Sequence, residues 1–276
     1  MKDNLRIALT FSGGGYRAAT FHLGALSYLH SVKVGEFTLL DHVVALSTIS
    51  GGTITGLRYM LGLSRGESVT DIFKELYTFL TDVELATVAM NNLASYDKGQ
   101  CASLIRTMAD IYNKELFKGA VLGDLMDQLD DIHICHFAAN ATDFTNGLAF
   151  RFQVTEKTGV RQEQATGYGL IGNNKIRIPR EVARHIRLSE VLACSSCFPS
   201  GFEPLVFPKD FVLGDSEEVK KFIAKTEPFG IMDGGIVDNQ GIEPILLAEQ
   251  RMETSLGCKD GKCLDLIIVS DVASPY

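Results

Sequence analysis

The spacing of apolar residues along the chain changes several times, and each change marks an element. Residues 5–11, LRIALTF, form a near-continuous apolar run short enough for a buried strand. After three glycines, Ala18, Phe21, Leu23, Leu26 and Leu29 recur at helical spacing, predicting a helix over about 17–31. A second short run, HVVALST at 42–48, passes through ISGG into the helical pattern TITGLRYMLGL. Strand–helix–strand–helix over residues 5–63 predicts parallel strands joined by crossover helices. Residues 67–130 keep helical spacing in VTDIFKELYTFL and VLGDLMDQL and predict a helical insertion or cap. IHICHFAANAT at 132–142 and LAFRFQV at 148–154 predict two strands joined by a turn at DFTNG.

The remainder is less regular. Residues 155–178 are polar and glycine-containing and predict a surface loop. A helix is predicted from near Pro179, ending before Pro199. FEPLVF reads as a strand, residues 215–227 as a solvated helix, FGIMDGG as a strand entering a turn, and EPILLAEQRM as a helix. CLDLIIVSDV at 263–272 reads as a last buried strand. With no repeat, low-complexity tract or linker, residues 1–276 read as one mixed α/β domain, and an end so soon after that strand fits a catalytic domain cut from something longer.

Composition narrows the classes. The chain has 276 residues, 46% hydrophobic and 22% charged, enough for a sizeable core. No apolar stretch approaches the ~18 residues of a membrane span. Asp3 and the absence of a long apolar run before the glycines argue against a secretory leader. A net charge of −8 disfavours nucleic acid as a main partner. It also gives no general attraction to anionic lipid, leaving a local basic or apolar patch open. The six cysteines are sparse, and reduced thiols in a cytoplasmic protein are the expectation. Cys194 and Cys197 form a CxxC, while Cys258 and Cys263 flank KDGK; the first pair falls in a predicted helix, so packing is preferred to a zinc site.

Candidate chemistry begins at SGGGYRA, residues 12–18, where bare amides at a helix start attract negative charge. The second strand ends in Thr48-Ile49-Ser50-Gly51-Gly52, a serine between strand end and helix start, as in a nucleophile elbow. The first glycine of the usual GxSxG is Thr48 here, and Ser50 reads equally as a helix N-cap. A Ser-His-Asp triad fits poorly: among His22, His30, His42, His133, His136 and His185, none falls in the final 91 residues. Asp233, at the end of the strand in GIMDGGIVDNQG, is better placed as a partner, with an ordinary DG turn as its other reading.

The ordered set SGGGYRA, TISGG and DGG resembles the patatin-like phospholipases, and ATDFTNG at 141–147 and ACSSCFPSGFEP at 193–204 add to the similarity. The resemblance spans about residues 5–241. It implies a three-layer α/β fold whose mostly parallel central sheet is flanked by helices. It also implies a lipid acyl hydrolase of phospholipase A type, releasing free fatty acid from membrane phospholipid. Carried over residue by residue, it makes Ser50 the nucleophile and Asp233 the proton acceptor, and Gly13, Gly14 and Gly15 the oxyanion hole. Gly51, Gly52, Gly234 and Gly235 complete the motifs. Arg17 is expected either to meet a substrate phosphate or steady the loop, or to form a structural ion pair. No metal or organic cofactor is implied, and the expected setting is cytoplasmic, with peripheral membrane contact during action and room for further domains or protein partners. Burial should raise the Asp233 pKa, since an ordinary carboxylate is a feeble base for a hydroxyl. Phe73, Tyr77, Phe79 and Met90 are candidates for an acyl groove or for plain core. Two rivals stand beside this reading: a non-catalytic lipid-binding or interaction module of the same fold, and a dinucleotide-binding protein using Gly13-x-Gly15-x-x-Ala18. The second lacks the ribose-binding acid expected at the end of the second strand.

Overall fold

A computed structural model describes residues 5–94, 103–155, 171–256 and 263–272. In chain order the elements begin with β1 (Ile7–Phe11), α1 (Gly15–Ser31), the short pair β2 (Lys33–Val34) and β3 (Phe37–Thr38), β4 (Val43–Ile49) and α2 (Gly51–Ser64). The helical segment follows as α3 (Val69–Asp82), α4 (Leu85–Ala94), α5 (Leu104–Tyr112), a π turn over Asn113–Phe117, and α6 (Leu122–Gln128). Then come β5 (His136–Asp143), β6 (Leu148–Thr155), β7 (Ile171–Gly172), β8 (Arg177–Ile178), α7 (Arg180–Ala183), α8 (Leu188–Ser195), β9 (Leu205–Phe207), α9 (Glu217–Lys225), β10 (Phe229–Asp233), α10 (Ile242–Leu256) and β11 (Leu266–Ser270).

Among the described residues nine strands form one sheet, running β11-β1-β4-β5-β6-β7-β8, with β10 against β5 and β9 against β10. The four strands β11, β1, β4 and β5 are mutually parallel, and the others add antiparallel. Alternation along β1 explains the layers. Ile7, Leu9 and Phe11 face the large core with Leu23 and Leu26 of α1 and Leu57 and Met60 of α2. Ala8 faces the other way, with Ala45, Ile245 and Ala248, where α10 covers the sheet. Helix α2 is buried from Gly51 to Gly62, as expected for a helix apolar on nearly every side. Its one cation, Arg58, is 1% exposed and is neutralised by Glu67 and Glu75.

Several expectations change. The first helix starts at Gly15, two residues early, so Gly14 is its N-cap. Residues 132–135 precede the strand, which begins at His136. Within 155–178, residues 156–170 lie outside the described set, and β7 and β8 form a small hairpin that widens the sheet. The predicted helix from Pro179 is two short helices, α7 and α8. The last strand, β11, is an edge strand with Leu266 46% and Val269 38% exposed, not a buried one. Cys194 and Cys197 are free and buried, whereas Cys263 is disulfide-bonded, against the expectation of reduced thiols. Cys101 and Cys258 lie outside the described residues.

Candidate active site

Strands β4 and β10 run head-on toward each other along one edge of β5. Ile49 of β4 sits opposite Asn140, and Asp233 of β10 sits opposite Ala141, the next residue of β5. No register position remains between them, so both strands must leave the sheet there. β4 turns at Ser50 into α2, and β10 turns at Asp233 into a 3-10 turn over Gly234–Ile236. The Ser50 hydroxyl consequently donates to the Asp233 carboxylate. β1 ends beside β4, with Phe11 opposite Thr48, so the glycine loop emerges on the same side. Asp233 therefore arrives on a strand antiparallel to β5.

The elbow is strained. Ser50 has φ 51° and ψ −119°, a backbone state costing a non-glycine residue about 1–3 kcal/mol and held only by its surroundings. Ser50 occupies the N-cap position of α2, but its side chain caps no backbone amide. Close approach explains the flanking glycines: a Cβ at Gly51 would overlap the Gly15 backbone, one at Gly52 would lie 2.5 Å from the Phe11 carbonyl oxygen, and one at Gly234 2.6 Å from that of Asn140. Thr48 is accommodated by an exchange. Its methyl fills the space beside Gly56, one turn into α2, where a Cβ would overlap it. Its hydroxyl accepts from Thr53 Oγ1 at 3.1 Å.

The end of α8 and the residues that follow it steady both partners. Ser195 Oγ accepts the Ser50 N–H at 2.9 Å and donates to the Asn140 carbonyl at 2.7 Å. Two residues on, the Cys197 carbonyl accepts the Asp233 N–H at 3.0 Å. Thr142 Oγ1 donates to the Asp233 carbonyl at 2.8 Å, and the Asp233 carboxylate accepts the Gly235 N–H at 2.7 Å. Asp233 is 5% exposed. Burial raises its pKa above the ordinary 3.8, against the lowering hydrogen bonds from Gly235 and Ser50.

Ser50 and Asp233 open onto a cavity of about 740 Å³, within the range of small-ligand sites. Gly13, Gly14, Gly15 and Gly51 line the reacting end, and Ile54, Leu85, Met108, Tyr112 and Phe202 line the apolar end. Tyr16 also lines the cavity, and both tyrosine hydroxyls are occupied: Tyr112 bonds Ser196, and Tyr16 donates to the Val83 carbonyl at 3.4 Å. Leu85, Met108 and Tyr112 belong to the helical segment, so it does wall the cavity. Phe73, Tyr77, Phe79 and Met90 do not line it; Phe79 is core, Phe73 half-buried, and Tyr77 and Met90 exposed elsewhere.

The glycines are not equivalent. Gly13 donates its N–H to the Asn239 carbonyl at 3.2 Å, so that amide is committed. The amides of Gly14 and Gly15 meet no acceptor among the described residues and line the cavity. Arg17 lies exposed on the cavity rim, donates to the Val272 carbonyl at 3.2 Å, and pairs with no carboxylate among the described residues. No motif in the sequence gives Ser195 or Asn239 a role, and His22 stood there only as one of six histidines without a triad. The available signal for Ser195 was a serine inside the apolar helix LACSSC, since a buried hydroxyl requires partners. Among the described residues no cluster of His, Cys, Asp and Glu could hold a metal ion.

A serine on a strained strand-to-helix turn, paired with a buried aspartate beside amides that meet no acceptor among the described residues, is an arrangement on an α/β fold that could carry nucleophilic chemistry. The chain belongs to the patatin-like phospholipase family, whose model matches residues 9–246. The fold is similar to that of human GIVD cytosolic phospholipase A2, at 14% identity and a TM-score of 0.56, over 96% of this chain and 45% of that one. VipD from Legionella pneumophila is also similar, at 13% identity and a TM-score of 0.42, over 86% of this chain and 47% of that one. The chain thus spans less than half of either protein. No curated protein matches it by sequence.

Proposed function

We propose that the protein is a lipid acyl hydrolase of phospholipase A type, working through Ser50 and Asp233. The hydrogen bond from Ser50 to a buried Asp233, at the reacting end of an apolar cavity, carries this reading. Asp233 takes the Ser50 proton as Oγ attacks the acyl carbonyl. The oxyanion is received by the Gly14 and Gly15 amides; a donor of this kind is worth about 3–4 kcal/mol in measured hydrolases. Collapse expels the alcohol, which takes the proton from Asp233 and leaves an acyl-Ser50 ester. Water then attacks, giving its proton to Asp233, and the second collapse returns that proton to Ser50 and frees the fatty acid. The raised Asp233 pKa favours this traffic, because a base with a pKa nearer the working pH accepts a hydroxyl proton more readily.

The acyl chain occupies the end walled by Ile54, Leu85, Met108 and Tyr112. Arg17 is the cation at the rim for a lipid phosphate. Phe198 and Ile236 also line the opening, 57% and 43% exposed, with Val237 beside them at 47%. They support contact with a lipid surface during action. Among the described residues no helix is long and apolar enough to cross a membrane. The test is phosphatidylcholine vesicles with mass spectrometry of the products, alongside fluorophosphonate labelling. Fatty acid release and Ser50 labelling, both lost in Ser50→Ala and release lost in Asp233→Asn, are the expected results. Vesicle binding with neither release nor labelling would leave a lipid-binding module instead.

A further inference from the structure

His22 is 0% exposed in α1, stacked on Phe11 with ring centroids 4.5 Å apart. Its Nε2 lies 3.0 Å from the Ser12 carbonyl oxygen and its Nδ1 2.9 Å from Ser270 Oγ. A carbonyl oxygen only accepts, so Nε2 carries the ring proton and Nδ1 accepts from the Ser270 hydroxyl. Burial lowers the pKa to about 4 and keeps the ring neutral.

A trans peptide is planar and directs its C=O and N–H to opposite sides, so fixing one fixes the other. His22 holds the carbonyl of the Ser12–Gly13 peptide, and the Asn239 carbonyl holds its N–H. That first peptide is pinned at both poles. In the next, Ser12 Oγ donates to the Gly13 carbonyl at 3.2 Å, while Ser12 Oγ itself accepts the Val272 N–H at 2.9 Å. The opposite pole of this second peptide is the Gly14 amide. In the third, the Gly14 carbonyl accepts the Ala18 N–H at 3.4 Å, and its opposite pole is the Gly15 amide. Gly14 itself has φ 140°, a conformation that only glycine adopts without strain. The restraint on these planes thus comes from the Ser12 side chain, from the first turn of α1 and from two groups outside the loop, His22 and the Asn239 carbonyl.

We infer that His22 and Ser12 are positioning residues for the glycine loop: Ser12 aims the Gly14 amide by holding the carbonyl of the same peptide, and His22 fixes the peptide before it. The inference rests on the hydrolase reading above and extends it to groups that never touch substrate. In this role the two residues act on the developing oxyanion and not on substrate binding, so their loss lowers kcat and spares KM.

The experiment is steady-state hydrolysis of a soluble short-chain ester by the full chain, with thermal melts of each variant. His22→Phe keeps the stack on Phe11 and removes both ring hydrogen bonds; kcat is expected to fall ~100-fold with KM within ~2-fold, about what one misdirected oxyanion donor costs. His22→Gln retains a donor for Ser12 and an acceptor for Ser270, and should recover to within ~10-fold of wild type. Ser12→Ala should lower kcat ~10-fold, again at constant KM. If His22→Phe fails to fold, Ser12→Ala decides by itself, since it deletes only one hydroxyl. Wild-type kcat in a folded His22→Phe or Ser12→Ala, or a loss confined to KM, would overturn the inference. Ser50→Ala is the separating control. A wild type whose turnover depends on Ser50 but not on His22 and Ser12 sinks only this inference. Turnover that survives Ser50→Ala sinks the hydrolase reading and this inference with it.

Discussion

The two ends of the cavity are built by opposite means. At the reacting end, groups from β1, β4, β5, β10 and the end of α8 are tied by buried hydrogen bonds, and glycines let backbone touch backbone. At the other end, Ile54, Leu85, Met108 and Phe202 supply apolar walls, and the tyrosine hydroxyls are occupied by Ser196 and the Val83 carbonyl. Hydrogen bonds are directional and packing is not. The first end therefore suits an oxyanion whose position must be met within tenths of an ångström, and the second suits a chain that needs volume and dryness. Damage at the first end should be catastrophic and indifferent to substrate length; damage at the second should be mild and length-dependent.

The largest effect that could break this contrast is at the dyad. Ser50→Ala or Asp233→Asn should lower kcat/KM on a short ester by at least ~10⁴-fold. Asp233→Asn should also melt higher. With its pKa raised on folding, Asp233 binds its proton more tightly folded than unfolded, so its stabilising contribution is lost as pH rises through the folded value. At neutral pH the buried charge is a burden that asparagine removes. A lower melting temperature for Asp233→Asn would show the carboxylate to be structural.

Gly51→Ala comes next, because its Cβ would overlap the Gly15 backbone and push the glycine loop from the elbow. A loss of ~10²–10³-fold in kcat is expected for short and long esters alike; a loss limited to long chains would contradict the contrast. The pH profile follows. Turnover should fall about tenfold per unit on the acid side as Asp233 is protonated, with the midpoint above 3.8. In the elbow core, Gly56→Ala should cost about 1–3 kcal/mol by overpacking, read by urea denaturation. Adding Thr48→Gly should recover most of it, because the two positions share one space. At the apolar end, Met108→Ala should change the preference between short and long acyl esters by ~10-fold or less while leaving kcat on the shortest ester near wild type.

Much of the frame was legible in the sequence. Short apolar runs gave β1, β4, β5, β6 and β10 because strand and helix periods differ. The glycine clusters were legible because close approach of backbone to backbone leaves few other residues possible. Direction was not. FGIMDGG reads the same on a parallel or an antiparallel strand, yet only the antiparallel one brings Asp233 head-on to Ser50. Helical spacing over 67–130 showed that one face is buried but not against what, so Phe73, Tyr77, Phe79 and Met90 were poor guides and Leu85, Met108 and Tyr112 supply the wall. Thr48 looked like a defect in the elbow because its compensation, Gly56, acts across an interface between strand and helix.

Local pattern alone determined which residues make strands and helices, and which short motifs carry a serine, an aspartate and bare amides. Those properties depend on neighbours along the chain. Whether the three motifs meet, which glycine amides stay free, and that a core histidine holds the loop were decided by strand register and by hydrogen bonds between distant segments. Such contacts are set by the packing of the whole sheet, which no stretch of sequence specifies alone.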